Sequence, residues 1–207
     1  MWWFYWIVMP AAWVVWHLVF RIRVIGRENL VRGRGFILAP NHLCGIDPVF
    51  VIISRFFGPP MVILAKDELF GKNIFLDWFW KHVGMICVRR GKGDTAMLEE
   101  VVAEVRGGRG ALIFPEGTRS QDGSIGRIKS GVFVIAAEAN ADIIPCRIIY
   151  KGGKMHLFGT CTVVFGKPIP AADLDLGTPR SAARLRACKE RLAAEWETLL
   201  EENRQYQ

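Results

Sequence analysis

The five cysteines and four histidines form no Cys-x-x-Cys pair and no cluster at metal-ligand spacing. That removes a zinc module from the readings. Cys44, Cys87, Cys146, Cys161 and Cys188 are scattered and odd in number, the pattern of a reduced intracellular chain and not of a disulfide framework. The glycines match neither a P-loop nor a dinucleotide fingerprint, so nucleotide binding has no motif to rest on. No G-x-S-x-G elbow is present, which weakens a lipase or thioesterase reading. A long basic arm and an RNA-binding aromatic signature are also missing, which disfavours nucleic acid. No internal repeat or low-complexity linker divides the 207 residues, a length that suits one domain with a sizeable core.

The residues that are present lean towards lipid. The formal net charge is +7 and the sequence pI about 9.4, which calls for anionic partners. Hydrophobic residues make up 51% and the mean hydropathy is +0.21, high for a basic soluble protein. Trp2 to Phe20 carries no Asp, Glu, Lys or Arg. A helix of that length just reaches across a hydrocarbon layer of about 30 Å. Trp2, Trp3, Tyr5 and Trp6 crowd one end and Trp13 and Trp16 approach the other, as rings at a membrane interface do. Two arrangements suit this segment, a crossing helix or one lying in the interface and bent at Pro10; a buried core helix is the rival. Arg21, Arg23 and Arg27 place the rest of the chain on the cytoplasmic side by the positive-inside rule. Residues 1–20 are therefore expected to anchor the protein, and 21–207 to form its folded domain.

The centre of that domain is Asn41-His42-Leu43-Cys44-Gly45-Ile46-Asp47-Pro48, between the apolar runs 35–39 and 49–53. The first run reads as a buried strand, and Asp47-Pro48 as the cap and first residue of a helix reaching about residue 57. His42 then sits on a strand-to-helix turn that can bring Asp47 to its imidazole. A His paired with a carboxylate is a general base, because the acid fixes the tautomer and stabilises the imidazolium. The bland alternative is a packed loop histidine with Asp47 only a helix cap. Phe114-Pro115-Glu116-Gly117-Thr118-Arg119-Ser120 comes after a second strand-like run, 111–113.

These two stretches resemble the N-H-x4-D and F-P-E-G-T-R-S motifs of the glycerolipid acyltransferase family, lysophosphatidic-acid acyltransferase type. The second is matched at every position. Gly84 to Arg90 resembles the third block, with Arg90 matching its Arg and Arg89 standing where an acid is frequent. Ile144-Pro145 resembles the fourth, and Lys129 a Lys-x-Gly that comes after the second. Cys44 stands where the family usually carries a small polar residue, and a small side chain in a tight turn explains it better than a covalent role.

The resemblance implies transfer of a fatty acyl group from a coenzyme A or carrier-protein thioester to the sn-2 hydroxyl of 1-acyl-glycerol-3-phosphate, giving phosphatidic acid in phospholipid biosynthesis. It makes His42 the base and Asp47 its orienter. Arg119 is the leading phosphate ligand, since a guanidinium grips phosphate through two bonds. Arg90 and Lys129 are further candidates, and Glu116 with Gly117 would contact glycerol or fix the loop. No cofactor or metal is implied. Another lyso-lipid acceptor, or a non-catalytic lipid binder on the same scaffold, are the rival functions. The alternation of strands and helices predicts an α/β fold, a mixed, mostly buried sheet flanked by helices, behind the N-terminal hydrophobic helix. The aromatic run 74–83 reads equally as core or as an acyl groove or interfacial face. Pro145 argues for a bulge or an edge in its strand.

Overall fold

Seven short segments become strands of one sheet in the computed structural model, which describes residues 3–55, 58–66, 70–71, 73–88, 95–120 and 122–207. In chain order the strands are β1 (Arg21–Ile25), β2 (Phe36–Pro40), β3 (Val62–Lys66), β4 (Met85–Val88), β5 (Gly110–Leu112), β6 (Asp142–Tyr150) and β7 (Thr160–Phe165). The helices are α1 (Trp3–Val19), α2 (Asp47–Arg55), α3 (Ile74–His82), α4 (Thr95–Arg106), α5 (Gly131–Ala139) and α6 (Ala182–Glu202). The strands lie in the order β1-β7-β6-β2-β5-β3-β4. All neighbours run parallel except β6 and β7, so the sheet is mixed.

Both faces of the sheet are covered, which is why its central strands are mostly apolar rather than alternating, with Asp142 and Arg147 of β6 as buried exceptions. Every residue of β2 and β6 is buried. Ile37 and Ala39 face a core built with α4, α5 and α6, centred on Phe133 and Trp196. Phe36 and Leu38 face the opposite core, where α2 contributes Phe50 and Val51. The wholly buried Trp196 fastens α6 to β2, since its indole N–H donates to the Ala39 carbonyl at 2.9 Å.

Pro145 lies in an interior strand, not at an edge. Its carbonyl accepts from Gly166 N at 2.8 Å, and the next bridge on that side joins Ile143 to Ile169. Two residues therefore separate Gly166 from Ile169 where one separates Ile143 from Pro145. The irregularity falls where proline has no N–H to offer, so the ladder loses nothing there.

The N-terminal helix is 17 residues long and runs on through Pro10. No helix among the described residues is long and apolar enough to cross a membrane. The core-helix alternative fails on exposure. One side of α1 packs inward, through Tyr5 bonded to Arg55 of α2 and Phe20 against Phe50 at 5.0 Å. Phe4 reaches Trp78 and Phe79 of α3, with ring centroids at 4.8 and 5.8 Å. The other side, with Trp3, Trp6, Ile7, Val14, Val15 and Leu18, is exposed. The helix α3 buries no residue and exposes Ile74, Phe75, Leu76 and Trp78, so the run 74–83 is a surface and not a core.

Candidate active site

The parallel strands β2 and β5 are neighbours, and both motifs leave from their carboxyl ends. Chain connections depart in opposite directions there: β2 leads to β3 beyond β5, and β5 leads to β6 beyond β2. Open α/β sheets place ligands at such a point.

The turn after β2 is folded by Asp47. Its Oδ2 accepts from the backbone N–H of Leu43 at 2.6 Å and of Cys44 at 2.7 Å, and from His42 Nδ1 at 2.8 Å. Its Oδ1 accepts from the Tyr150 hydroxyl at 2.5 Å. The carboxylate is fully buried. It caps the turn behind it rather than the helix ahead, which corrects the helix-cap expectation. A carboxylate only accepts, so His42 carries its proton on Nδ1 and leaves Nε2 for a substrate. Asn41 extends the β2–β6 ladder with its side chain: Oδ1 accepts from Ile148 N at 2.7 Å, and Nδ2 faces the Ile148 carbonyl.

The second motif grips the first by its backbone. Glu116 is buried, and its Oε2 accepts from His42 N at 2.9 Å while Oε1 accepts from Gly126 N at 2.9 Å. Ser120 N donates to the His42 carbonyl at 2.8 Å. The Phe114 ring lies 4.2 Å from the imidazole, centroid to centroid. Both Glu116 oxygens are thus taken by main-chain amides, and the loop-fixing alternative fits this geometry where the glycerol contact does not. Burial holds the Glu116 carboxyl above the usual range, against the bonds from Gly126 and His42 and the charge of nearby Arg147.

Two cavities meet at this turn. One, about 260 Å³, is lined by His42, Leu64, Met97, Phe114, Ile135 and Lys129, and is apolar apart from the ends. It opens on the face of the sheet covered by α4 and α5. Lys129 reaches it over Gly117, whose φ of +64° and missing side chain leave the room; a Cβ would collide with the ammonium. The other, about 560 Å³, lies on the opposite side and includes Cys44, Arg119, Ser120, Tyr150, Lys154 and Met155. Arg119 Nη1 stands 3.6 Å from where a Cβ on Gly45 would be, beside the catalytic turn.

The structure therefore brings His42, Asp47, Glu116, Gly117 and Lys129 together and sets Arg119 across the turn from Lys129. Arg90 lies outside the described residues, as do Arg89, residues 91–94 and 67–69, and residues 56–57, where the sequence reading ended the helix after Asp47. Tyr150 and Lys154 were missed by sequence reasoning. The one signal for Tyr150 was a polar ring at the end of the strand beside β2, but it needed the strand order to be used. Among the described residues no group of three or more His, Cys, Asp and Glu could hold a metal ion.

The sequence model of the Acyltransferase family matches residues 21–149, which span β1 to the end of β6 and both motifs. The chain belongs to this family. A 1-acyl-sn-glycerol-3-phosphate acyltransferase of Borreliella burgdorferi is 34% identical over 133 residues, 63% of this chain and 52% of that one. Its namesake in Bacillus subtilis is 28% identical over 188 residues, 86% of this chain and 84% of the relative. A lyso-ornithine lipid O-acyltransferase of Pseudomonas aeruginosa is 31% identical over 136 residues, 65% and 49% of the two chains. The aligned region spans about half the length of most of these curated relatives. The crystal structure of a 1-acyl-sn-glycerophosphate acyltransferase from Thermotoga maritima shares the fold, with a TM-score of 0.70 over 95% of this chain and 80% of the other at 23% identity.

The Glu116 clamp has a measurable signature. Gln at this position keeps the size but turns an NH2 towards one of two backbone donors. Glu116→Gln should cost about 1–3 kcal/mol of stability in denaturant unfolding and lower activity with it. The raised folded pKa also sets a sign. The folded state holds this proton more tightly than the unfolded one, so Glu116 lowers stability as pH rises from the ordinary Glu range through its folded value. The Gln variant should lose that part of the pH dependence, and an unchanged pH profile would show that Glu116 does not titrate with folding.

Proposed function

We propose that this acyltransferase-family protein moves a fatty acyl group from a thioester to the sn-2 hydroxyl of 1-acyl-glycerol-3-phosphate, giving phosphatidic acid. The observation that carries the reading is the His42–Asp47 pair standing between an apolar cavity and a cationic one. The names of the Borreliella and Bacillus relatives support the acceptor.

His42 Nε2 takes the proton of the acceptor hydroxyl as its oxygen attacks the thioester carbonyl. The new C–O bond forms a tetrahedral intermediate, whose collapse breaks the C–S bond. The leaving thiolate recovers the proton from the His42 imidazolium, so the base ends as it began. Asp47 keeps Nδ1 protonated and stabilises the cation in between. No acyl-enzyme is formed, and holding both substrates on one turn supplies much of the rate gain. The apolar cavity takes an acyl chain. Arg119, with Lys154 across the second cavity, takes the acceptor phosphate, and Lys129 is placed for charge near the reacting carbonyl. The donor is a thioester of coenzyme A or of a carrier protein; the reaction draws on no other cofactor. Residues 1–20 anchor the chain by lying in the membrane interface, with the exposed ring-bearing faces of α1 and α3 towards lipid. Residues 21–207 form the catalytic domain on the cytoplasmic face.

A second acceptor is favoured by one specific observation, the Pseudomonas relative named for a lyso-ornithine lipid. Purified protein in detergent, given labelled acyl thioester and 1-acyl-glycerol-3-phosphate, should form phosphatidic acid, and His42→Ala should abolish it while leaving the fold intact. Product from a lyso-ornithine lipid alone would move the assignment to that acceptor. No product from either would leave a lipid-binding protein.

A further inference from the structure

The β6–β7 hairpin, residues 151–159, leaves the sheet at the end that carries the site. Pro40, the last residue of β2, pairs with Cys146, so β6 runs four residues past the end of β2 before it ends at Tyr150. At about 3.3 Å per residue the hairpin starts roughly 13 Å beyond that end, alongside the turn that carries His42 and Asp47. Its sequence is Lys-Gly-Gly-Lys-Met-His-Leu-Phe-Gly. Lys154 and Met155 line the cationic cavity.

Two features of the tip lack a folding rationale. Leu157 and Phe158 are adjacent large apolar residues, 67% and 70% exposed. Phe158 also has φ of +62°, a conformation that bulky residues rarely adopt and glycine adopts freely. Folding gains little from a strained, exposed phenyl ring. An outlier of this kind points to function.

The surroundings say what meets it. Lys151 and Lys154 rise from the same hairpin, and among the described residues neither is ion-paired with a carboxylate. The hairpin base is tied to the end of the N-terminal helix next to Phe20: Arg21 N donates to the Gly159 carbonyl at 3.0 Å. Leu18, near the end of α1, is exposed too. An apolar tip with flanking ammonium groups, tied at its base to the end of α1, suits a bilayer whose headgroups carry phosphate.

We propose that the Leu157–Phe158 tip inserts into an anionic bilayer surface and seats the mouth of the cationic cavity against the headgroups. The acceptor then enters that cavity from the membrane plane. This insertion rests on the lipid-acceptor reading only for the kind of surface involved.

The test uses the full chain and sucrose-loaded vesicles of phosphatidylcholine with phosphatidylglycerol, sedimented without any substrate. Phe158→Gly combined with Leu157→Ser should weaken vesicle binding about tenfold. Phe158→Gly alone should weaken it less and leave thermal stability unchanged or raised, because glycine relieves the strained φ. Transfer to a short-chain acceptor dispersed in detergent should be unaffected in both. Unchanged vesicle binding by the double variant overturns the proposal. So does weaker binding accompanied by a fall in stability, which would make the tip part of the fold. Because binding is measured without turnover, failure of acyl transfer and failure of this insertion are separate outcomes.

Discussion

Asp47→Asn should lower kcat by about 10²–10⁴-fold with little change in KM. Asp47 is fully buried and touches only protein, so its loss leaves the substrate contacts in place. An amide oxygen in the Oδ2 position keeps its bonds from His42 Nδ1 and the amides of Leu43 and Cys44, and its NH2 can donate to the Tyr150 oxygen. The turn then survives and only the charge disappears. That charge matters when His42 holds the acceptor's proton, because an imidazolium without its carboxylate is a poorer resting place for it. With the amide reversed, its NH2 faces two main-chain donors and forces the imidazole into the wrong tautomer, and the rate falls further. Steady-state kinetics with both substrates varied, beside thermal unfolding, separates the cases. Retained kcat would mean that His42 works without Asp47, and the dyad would lose its catalytic meaning.

The largest expected effect on stability lies elsewhere. Trp196→Ala should cost about 3–5 kcal/mol, the range for emptying a large aromatic site in a packed core. In a chain of this size that lowers Tm by roughly 10 °C. Trp196 is wholly buried among α5, α6 and the sheet, and its indole N–H satisfies the Ala39 carbonyl two residues before Asn41. The variant therefore leaves a void and removes one of the donors to the Ala39 carbonyl, which stays in the β2–β6 ladder at the base of the His42 turn. Trp196→Phe, which fills most of the void but cannot donate, should cost less while still losing that bond. Differential scanning calorimetry on the three proteins measures both parts. Equal losses for Ala and Phe would assign the whole effect to the hydrogen bond.

The sequence disclosed the features that lie close together along the chain. His42 and Asp47 are five residues apart, and a strand run followed by Asp-Pro is enough to place one beside the other. The strand-like runs 35–39 and 111–113 were legible for the same reason, since each is a local pattern. The residues that finish the site are distant. Tyr150 reaches Asp47 across 103 positions and Glu116 reaches His42 across 74. Those meetings depend on β6 and β5 flanking β2, and strand order leaves no mark in any one run. Local reasoning also misassigned what competes at one atom. Asp47 looks like a helix cap by position, yet three donors on the turn and Tyr150 occupy its oxygens. Pro145 signalled a bulge or an edge, and the choice between them needed the pairing partner: the extra residue lies in the segment after β7, opposite the proline, and is not written in β6. For α1 the composition was plain, but the division into an inward side and an exposed side depends on α2 and α3.

Because the amide and the carbonyl of His42 are both held by the second motif, the base is a fixed post rather than a swinging arm. On the proposed function, the travel in each turnover would then belong to the lipids, an acyl chain sliding in from one side of the sheet and a headgroup settling from the other. Such a post would turn over at a pace set by the mobility of the lipid that feeds it, so a stiffer bilayer should slow acyl transfer in a vesicle assay even with every residue in place.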